Sequence, residues 1–257
     1  MRIERCFALA ALVAILASCQ PDPINITPSG SGREYRLTSF DNYKFTYDAD
    51  GRVASVGDRQ FTYSGKTLTI SYKDAVEYTI SLNNTGFATK IERSGHTWKI
   101  DYDKSGFISK ASMDGVQCTT QKSSSGKIDY WSKYNLSSDF WEMNEVSYLP
   151  KNNVGRIYTV WAESLGLDRW LFEARLLGNA SANVAEYTRW KLGSSDYDTN
   201  TSVYDYEYDT DGCIVSEYKY YGKWNEFDVE GLRKLETHTF TWEKIAVKLE
   251  SAPNLPE

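Results

Sequence analysis

The sequence is poor in the residues from which most catalytic and metal sites are built. Only two histidines, His96 and His238, occur among 257 residues, and both lie in alternating, strand-like runs. A Ser-His-Asp site would need one of them beside a nucleophile, and the chain has no G-x-S-x-G motif. Zinc sites need clustered His and Cys, and glycine-rich phosphate loops are missing as well. We therefore expect no catalytic residues, no metal and no cofactor.

Basic surfaces are also lacking. The chain has 29 Lys and Arg against 35 Asp and Glu, for a net charge of -6. Nucleic-acid binding calls for a basic patch that neutralises phosphates, so we expect no nucleic-acid partner. Acidic pairs such as Asp139 and Glu142, on either side of Phe140 and Trp141, arise by chance in so acidic a chain. They do not single out a glycosidase site, and we expect no enzyme.

Long apolar runs are absent except at the N-terminus, and no segment reaches the 18 residues of a membrane-spanning helix. The basic stretch "MRIER" precedes the apolar run "CFALAALVAILA", as in a signal peptide. The run ends in "LASC" at Cys19, which resembles a bacterial lipobox, where the peptide is cut before a cysteine that carries a diacylglyceryl group. An ordinary secretory signal is the alternative. We expect residues 1–18 to be removed and Cys19 to anchor the protein to a membrane.

The segment after the anchor has little to bury. Residues 19–32 contain "QPDPINITPSGSG", which is rich in Pro, Gly and Ser and predicts a flexible tether. We expect one folded domain over residues 33–250. Two cysteines, Cys118 and Cys213, remain in that domain. A disulfide between them is possible in an oxidising compartment, and two buried free thiols are the default.

Aromatic and alternating residues are abundant and predict a β-sheet. Aromatics make up 14% of the chain, with 19 Tyr and 8 Trp, which suits strands. In "VEYTISL", Val76, Tyr78, Ile80 and Leu82 fall on one face and polar residues on the other. "ISLNNTGFATKIE" aligns with "IDYDKSGFISKAS", and a weaker third copy follows. Twenty residues per repeat hold two strands and two turns. The pattern predicts an antiparallel up-and-down meander of roughly 10–14 strands, forming a barrel or strongly rolled sheet.

The acidic stretch "YEYDTDGCIV" could be read as a calcium loop or as a hairpin turn. An EF-hand loop starting at Glu207 would need Glu at its twelfth position, which is Tyr218. The related units "DADG" and "DKSG" carry the same spacing of a polar pair before glycine. An Asx-Gly turn supplies the positive φ that a hairpin requires. We predict repeated turns rather than calcium sites.

One stretch departs from the period of two. "RIYTVW" at residues 156–161 predicts a further strand. After it, in residues 164–178, Leu167, Trp170, Leu171 and their neighbours recur at intervals of three and four, and Gly178 stands where a helix would end. We predict one helix of about ten to twelve residues. Because its apolar stripe must be buried, we expect it at the end of the barrel or inside it.

The repeated units "FTYDADGRVASV", "IDYDKSGFISKAS" and "YEYDTDGCIVSEYKY" resemble the tyrosine–aspartate repeats of large secreted bacterial proteins. With the lipobox, the helix and "LLGNASANV", residues 33–248 resemble a Bacteroidetes lipoprotein family of unknown function with a porin-like fold. The resemblance implies an antiparallel barrel with a short helical element and brings no catalytic residues. The "CQPDP" start is similar to signals that send such lipoproteins to the cell surface. The resemblance implies an outer-membrane lipoprotein, on the periplasmic face or the cell surface.

Clusters of aromatic residues are the one functional indication. Trp131, Trp141, Tyr221 and Trp224 lie in two aromatic-rich stretches and are candidates for stacking on a sugar ring. Large aromatics also commonly fill β-sheet interiors. Three functions therefore stay open. The preferred one is a non-catalytic binding or accessory module for a glycan or an envelope protein. The second is a purely structural or assembly barrel, and the third is an enzyme or a carrier of an apolar ligand.

Overall fold

The structure is a computed structural model that describes residues 34–135, 140–161, 163–192, 200–223 and 232–245. Sixteen strands form one closed antiparallel barrel, in which each strand pairs with the next in sequence and β1 pairs with β16. The strands are β1 Glu34–Phe40, β2 Tyr43–Tyr47, β3 Val53–Val56, β4 Arg59–Ser64, β5 Thr67–Tyr72, β6 Ala75–Leu82, β7 Ala88–Arg93, β8 His96–Tyr102, β9 Ile108–Met113, β10 Val116–Ser124, β11 Lys127–Asn135, β12 Phe140–Asn152, β13 Asn183–Leu192, β14 Asn200–Tyr208, β15 Ile214–Lys223 and β16 Arg233–Ile245.

The all-β, up-and-down prediction is confirmed, and the sheet closes into a barrel rather than staying rolled and open. There are more strands than the 10–14 that the repeats predict. The reason is that several strands are short: β3 has four residues and β2 has five, so more strands fit into the chain. The strands begin at residue 34 and end at residue 245, within the predicted domain of residues 33–250.

The barrel has two ends that differ in what they carry. β1 starts and β16 finishes at the same end, where Glu34 pairs with Ile245, and we call this the proximal end. Its turns follow the even-numbered strands. The opposite, distal end holds the turns that follow the odd-numbered strands, beginning with Asp41 and Asn42 between β1 and β2. Any segment N-terminal to Glu34 therefore joins the barrel at the proximal end.

The barrel wall follows the predicted alternation of side chains. In β4 the side chain of Phe61 is buried and its neighbours Gln60 and Thr62 are exposed. Tyr78 and Ile80 in β6 are fully buried, as the pattern predicts, but Val76 on the same predicted face is 62% exposed. A register irregularity in the β5–β6 pairing lies between Val76 and Tyr78 and breaks the alternation at the distal end of β6. Most inward positions of the wall are thus apolar, with buried polar exceptions such as Glu217 and Thr119.

The acidic repeats form one recurring turn at the proximal end, which confirms the turn prediction. In each turn the side-chain Oδ1 atom of an Asp or Asn accepts hydrogen bonds from the backbone N–H groups two and four residues later. The four residues are Asp48, Asn83, Asp103 and Asp209. Each turn then places a glycine at a φ between 77° and 86°, a region that favours glycine. Asp209 is therefore engaged in folding the chain.

Tyrosine side chains close the proximal end of the wall. The hydroxyl group of Tyr47, directly before one turn, donates a 2.6 Å hydrogen bond to the carbonyl oxygen of Leu37 on the preceding strand. Tyr102, before another turn, donates in the same way to Ala88 at 2.7 Å. Burial raises the pKa of both phenols, so they stay protonated as donors. The repeated Tyr-Asp pair thus combines a cross-strand hydrogen bond with a turn.

The chain between β12 and β13, residues 153–182, runs into the barrel, and we call it the lumen segment. The predicted strand at 156–161 is wrong, because these residues pair with no strand: the backbone N–H of Tyr158 donates to the Glu173 carboxylate at 3.2 Å. The predicted helix over 164–178 is present only as a 3-10 turn, Glu163–Leu165, and a five-residue helix, α1 Arg169–Glu173. All five residues of α1 are buried.

Candidate functional site: a filled lumen and a distal cleft

The lumen segment touches opposite walls of the barrel and therefore fills its interior. On one side, the indole N–H of Trp98 in β8 donates a 2.9 Å hydrogen bond to the carbonyl oxygen of Leu165. On the other side, the guanidinium carbon of Arg169 lies 5.2 Å from the ring centre of Phe40 in β1 and 5.6 Å from that of Phe240 in β16. β8 and β16 are diametrically opposite in the strand order. The segment thus spans the barrel diameter.

The proximal turns bind the C-terminal part of the lumen segment through backbone hydrogen bonds. The N–H of Ala88 donates to Leu176, and the N–H groups of Asn179 and Ala182 donate to Gly106 and Gly126, all at 2.8–2.9 Å. These two glycines are 20 residues apart in the repeat. The glycine carbonyl oxygens of the repeated hairpins are therefore regularly spaced hydrogen-bond acceptors, and they bind the end of the lumen segment that leads to β13.

A buried ion network joins α1 to the wall. Arg169 Nη1 lies 2.6 Å from Glu217 Oε1 on β15, and Arg169 Nε lies 3.2 Å from Glu173 Oε1 one helical turn away. The three side chains are only 7%, 2% and 1% exposed. Burial raises the pKa of Glu173 above its ordinary value even though Arg169 acts in the opposite direction. This network ties the lumen segment to β15 of the barrel wall.

Further charged groups continue the network toward the distal end. Lys219 Nζ lies 3.0 Å from Glu163 Oε1 and 3.7 Å from Glu236 Oε2. His238 Nδ1 is 2.8 Å from Asp41 Oδ2, and its Nε2 is 3.6 Å from Glu236 Oε2. Burial by itself lowers the pKa of His238, but its hydrogen bonds with Glu236 and Asp41 outweigh this and raise the pKa. These contacts place His238 in an ion-pair network.

A cleft opens at the distal end of the barrel beside the lumen segment. It is a shallow, open depression of about 380 Å³, lined by six residues of the turns that follow β1 and β3 and of the strands β2, β4 and β5. The lining residues are Asn42, Tyr43, Gly57, Asp58, Arg59 and Tyr72. Gly57 has a φ of +56°, and a Cβ atom there would lie 3.4 Å from the Tyr43 ring. The cleft therefore combines two aromatic rings with amide, carboxylate and guanidinium groups.

Arg59 is the central residue of this cleft. Its guanidinium carbon lies 5.2 Å from the ring centre of Tyr72, 5.9 Å from that of Tyr43 and 5.1 Å from that of Trp170 in α1. Its Nε donates to Glu77 Oε2 at 2.7 Å. Arg59 is thus held in place by three aromatic rings and the Glu77 carboxylate. Because one of these rings is Trp170, α1 contacts the cleft from the lumen side. The exposed lining of the cleft is mainly polar, with only small parts of the two tyrosine rings accessible.

A second ion cluster fixes the lumen segment next to the cleft. The hydroxyl group of Tyr78 donates to Asp168 Oδ2 at 2.6 Å, and Arg93 bridges Asp168 at 3.2 Å and Glu77 at 3.3 Å. Burial and the Asp168 hydrogen bond raise the pKa of Tyr78. Since Glu77 also binds Arg59, the cleft and the lumen segment share one hydrogen-bonded support.

The structure separates the four aromatic residues that the sequence singles out. Trp131 is 9% exposed and packs against Val160 and Ala185 inside the barrel. A sugar could stack on its ring only if the ring became exposed. Tyr221 is 39% exposed. Trp141 is the second residue of β12, and its side chain lies outside the described part, as does all of Trp224.

Trp141 and Tyr221 nevertheless both lie near the distal end. Trp141 pairs with Tyr134 at the distal ends of β12 and β11, and Tyr221 pairs with Ser202 near the distal end of β15. Sequence reasoning missed Tyr43, Arg59 and Tyr72, which form the described cleft. The order of the turns could have predicted their proximity. In an up-and-down barrel every second turn lies at the same end, so residues beside the turns after β1, β3 and β5 come close together.

The remaining sequence predictions have mixed outcomes. Cys118 is half-buried and Cys213 is buried, and both are free thiols, as the default expected. His96 is exposed, with Nδ1 2.7 Å from Asp114 Oδ2. Cys19 lies outside the described residues. Within the described ranges, no helix has the length and hydropathy of a membrane span, and no three His, Cys, Asp or Glu residues are grouped to hold a metal ion.

Comparisons with known proteins support the fold. The chain is similar to the crystal structure of a porin-like protein from Bacteroides vulgatus ATCC 8482, with a TM-score of 0.54 and 14% identity over 82% of this chain and 99% of that one. It is also similar to a porin-like protein from Bacteroides uniformis ATCC 8492, with a TM-score of 0.53 and 14% identity over 78% and 89%. The shared feature is the fold. No family model and no curated protein matches the chain.

Proposed function

We propose that this protein is a non-catalytic binding module of the bacterial cell envelope, and that its distal end binds a glycan. The observation that carries the proposal is the distal cleft, where Tyr43 and Tyr72 flank a fixed Arg59. Sugar rings stack on flat aromatic faces, and adjacent polar groups fix their orientation. Asn42 and Asp58 supply such groups at the rim.

The filled lumen supports a role at the rim and disfavours a carrier of apolar ligands. The interior is occupied by the side chains of Trp170, Leu171 and Phe172 from α1, each at most 2% exposed. A ligand carrier would need that space. A filled interior also suits the second candidate, a rigid structural barrel, which the binding experiment below separates from the first.

The outer surface supports a barrel surrounded by water. Outward positions such as Lys44, Gln60 and Lys99 are polar and exposed, whereas a barrel embedded in lipid turns its apolar residues outward. Among the described residues only four large hydrophobic side chains are exposed. We propose that the protein is an outer-membrane lipoprotein held by a lipid on Cys19, on the periplasmic face or at the cell surface.

The tether direction supports a distal binding site. Cys19 precedes Glu34, the first residue of β1, by fifteen positions, and Glu34 lies at the proximal end. A flexible chain of that length spans about 20 Å on average. The anchor would therefore hold the proximal end near the membrane and leave the cleft facing away from it.

The test is a glycan array probed with the chain from Gln20 onward, which contains every strand of the closed barrel. We expect saturable glycan binding, which tryptophan fluorescence would monitor. In Tyr43→Ala and in Tyr72→Ala the affinity should fall about tenfold or more, which corresponds to a loss of about 1.4 kcal/mol of binding free energy. Tyr218→Ala is the matched control, because Tyr218 lies on β15, away from the strands β2, β4 and β5 that line the cleft.

Two results would change the proposal. Binding that survives both cleft variants but is lost in Trp141→Ala, Tyr221→Ala or Trp224→Ala would move the site to the aromatic sector of β11–β15. No binding on the array would overturn glycan recognition and favour a protein partner or the structural barrel, which a pull-down from envelope extract would distinguish.

A further inference from the structure

The last strand of the barrel extends beyond the turn beside it at the distal end. β16 runs from Arg233 to Ile245, but β1 pairs only with its residues from Phe240 to Ile245. After Phe40 the chain turns away from β16 into β2. On its other side, β16 stays paired with β15 as far as Arg233. In the described part of the chain, residues 233–238 therefore have a strand on one side only, and we call them the free edge.

Asp41 marks the point where the free edge begins. Its backbone N–H donates a 2.8 Å hydrogen bond to the carbonyl oxygen of Thr239, and its Oδ1 atom accepts a 2.8 Å hydrogen bond from the N–H of Thr239. Both backbone groups of Thr239 thus point toward the β1 side. Because alternate residues of an antiparallel strand turn their backbone groups to the same side, those of Thr237 point there too. No strand of the described chain lies on that side to bind them.

The free edge is open to solvent. The side chains from Arg233 to Thr237 are all exposed, and that of His238 is half-buried. A bulge in the pairing with β15 sets Leu235 outside the regular register. Leu235 is 37% exposed and is one of four large hydrophobic side chains that are exposed among the described residues. Both faces of this part of β16 are therefore accessible to a partner.

Charges of opposite sign are separated along the free edge. At its lower end the carboxylates of Asp41 and Glu236 both contact His238, at 2.8 Å and 3.6 Å. At its upper end Arg233 and Lys234 have no carboxylate within ion-pair distance in the described chain. Acidic and basic groups are thus about balanced in number, so charge would orient a partner along the edge rather than attract it from afar.

We infer that the free edge binds an extended segment of another polypeptide, which adds a strand to β16 and places an acidic residue opposite Arg233 or Lys234. An unpaired strand edge presents backbone donors and acceptors in a row, and another extended backbone matches them. Leu235 supplies an apolar contact. The added strand would lie above the turn that holds Asp41 and Asn42, and therefore beside the distal cleft.

Two other occupants fit the free edge less well. Both ends of the barrel chain, Glu34 and Ile245, lie at the proximal end, about 25 Å along β16 from the free edge. Either terminal segment would have to run the length of the barrel to reach it. A second copy paired antiparallel at the same edge would place the two proximal ends on opposite sides, so two lipid anchors could not share one membrane. Only this last argument rests on the proposed function.

The experiment selects binders from a displayed library of random peptides of about ten residues, using the chain from Gln20 onward. The affinity of enriched peptides is then measured for two variants of one position. Thr237→Pro removes the backbone N–H on the free side, where proline is tolerated, and Thr237→Ala changes the side chain but keeps that N–H. We expect Thr237→Ala to bind within about twofold of the unmodified chain and Thr237→Pro to bind about tenfold or more weakly.

A second pair of variants tests the charge at the upper end. Arg233→Ser combined with Lys234→Ser should weaken binding of the enriched peptides about threefold or more, because cross-strand pairs of opposite charge are lost. Lys99→Ser combined with Lys110→Ser is the matched control, since it removes two lysines from β8 and β9 and changes the net charge equally. We expect this control to bind within about twofold of the unmodified chain.

Hydrogen exchange of the unmodified chain gives a result that does not depend on any variant. The amide of Thr237 should exchange fast in the free chain and slowly with a selected peptide bound, since it then donates to the added strand. The inference would be overturned by a library without enriched peptides, by equal binding to Thr237→Pro and Thr237→Ala, or by a Thr237 amide that stays fast. A dimer that Thr237→Pro abolishes would assign the edge to a second copy instead. Glycan binding is measured on the cleft variants, so either result stands without the other.

Discussion

Replacing Arg169 with methionine would leave two buried carboxylates without a counter-charge. Arg169 bridges Glu217 at 2.6 Å and Glu173 at 3.2 Å, and both acids are at most 2% exposed. Methionine has a similar length and suits the rings of Phe40 and Phe240 that flank the guanidinium group. The substitution therefore removes the charge with little loss of volume.

The expected cost follows from the burial of the network. Removing one partner of a buried ion pair lowers the free energy of unfolding by about 3–5 kcal/mol, because the remaining charge is neither solvated nor paired. We expect Arg169→Met to lower the free energy of unfolding by that amount near neutral pH. The loss should shrink as the pH falls, because burial raises the pKa of Glu173 and thereby favours its neutral, protonated form.

The assay is equilibrium urea unfolding followed by tryptophan fluorescence, with two companions. Arg169→Met combined with Glu173→Gln and Glu217→Gln neutralises all three groups and should recover most of the lost stability. Arg36→Met is the matched control: Arg36 pairs with Glu243 at the surface, where the side chains are 27% and 45% exposed. That change should cost at most about 1 kcal/mol.

Two outcomes would refute this reasoning. A loss in Arg169→Met no larger than in Arg36→Met would mean that water reaches the network. A triple variant as unstable as the single one would mean that the loss comes from packing rather than from unpaired charge.

Two further predictions concern the lumen segment and the distal end. Gly178 has a φ of +86°, and a Cβ atom there would lie 2.6 Å from the carbonyl oxygen of Gly106, so Gly178→Ala should cost at least about 2 kcal/mol. Gly115→Ala, at φ +84° with open space around its Cβ, should cost about 1 kcal/mol; equal losses in urea unfolding would contradict the close contact. Because the pKa of His238 is raised in the folded state, its stabilising contribution should be complete below about pH 6.5 and fade as the pH rises through the folded value. The stability difference between the unmodified chain and His238→Gln should therefore fall as the pH rises above about 6.5, and a constant difference would contradict this assignment.

Much of the wall could be predicted from the sequence, because its signals are local. A residue such as Asp103 followed by Gly106 determines a turn within five residues, and alternation in β4 needs only its own side chains. Closure could not be predicted, since it depends on the summed register of all sixteen pairings. The number of strands was underestimated because strands as short as β3 carry little alternation.

The lumen segment misled sequence reasoning for a physical reason. Leu167, Trp170 and Leu171 recur like one face of an amphipathic helix, but in the barrel every side of α1 is covered, including Arg169 and Glu173. A segment buried all round can end its helix early, as this one does where Arg175 takes a φ of 62°. Its polar groups are satisfied by walls that are distant in sequence.

The distal cleft was beyond sequence reasoning for a related reason. Tyr43 and Tyr72 belong to β2 and β5 and meet only because alternate turns return to one end. Neither lies in the two aromatic-rich stretches that contain Trp131, Trp141, Tyr221 and Trp224. The density of aromatic residues instead pointed to Trp131 as a ligand-binding residue, but its ring packs in a buried hydrophobic cluster.

Hydrogen exchange of the lumen segment tests the central claim, a barrel whose interior is closed core and whose ligand face is the rim. The amides of Leu171, Ala174 and Leu176 are hydrogen-bonded within the segment and lie among buried side chains. The account predicts that peptides covering residues 167–177 exchange as slowly as the strands of the wall, opening only with global unfolding. Exchange as fast as that of an exposed loop would show that the segment leaves the lumen, and would reopen the barrel interior as a binding site.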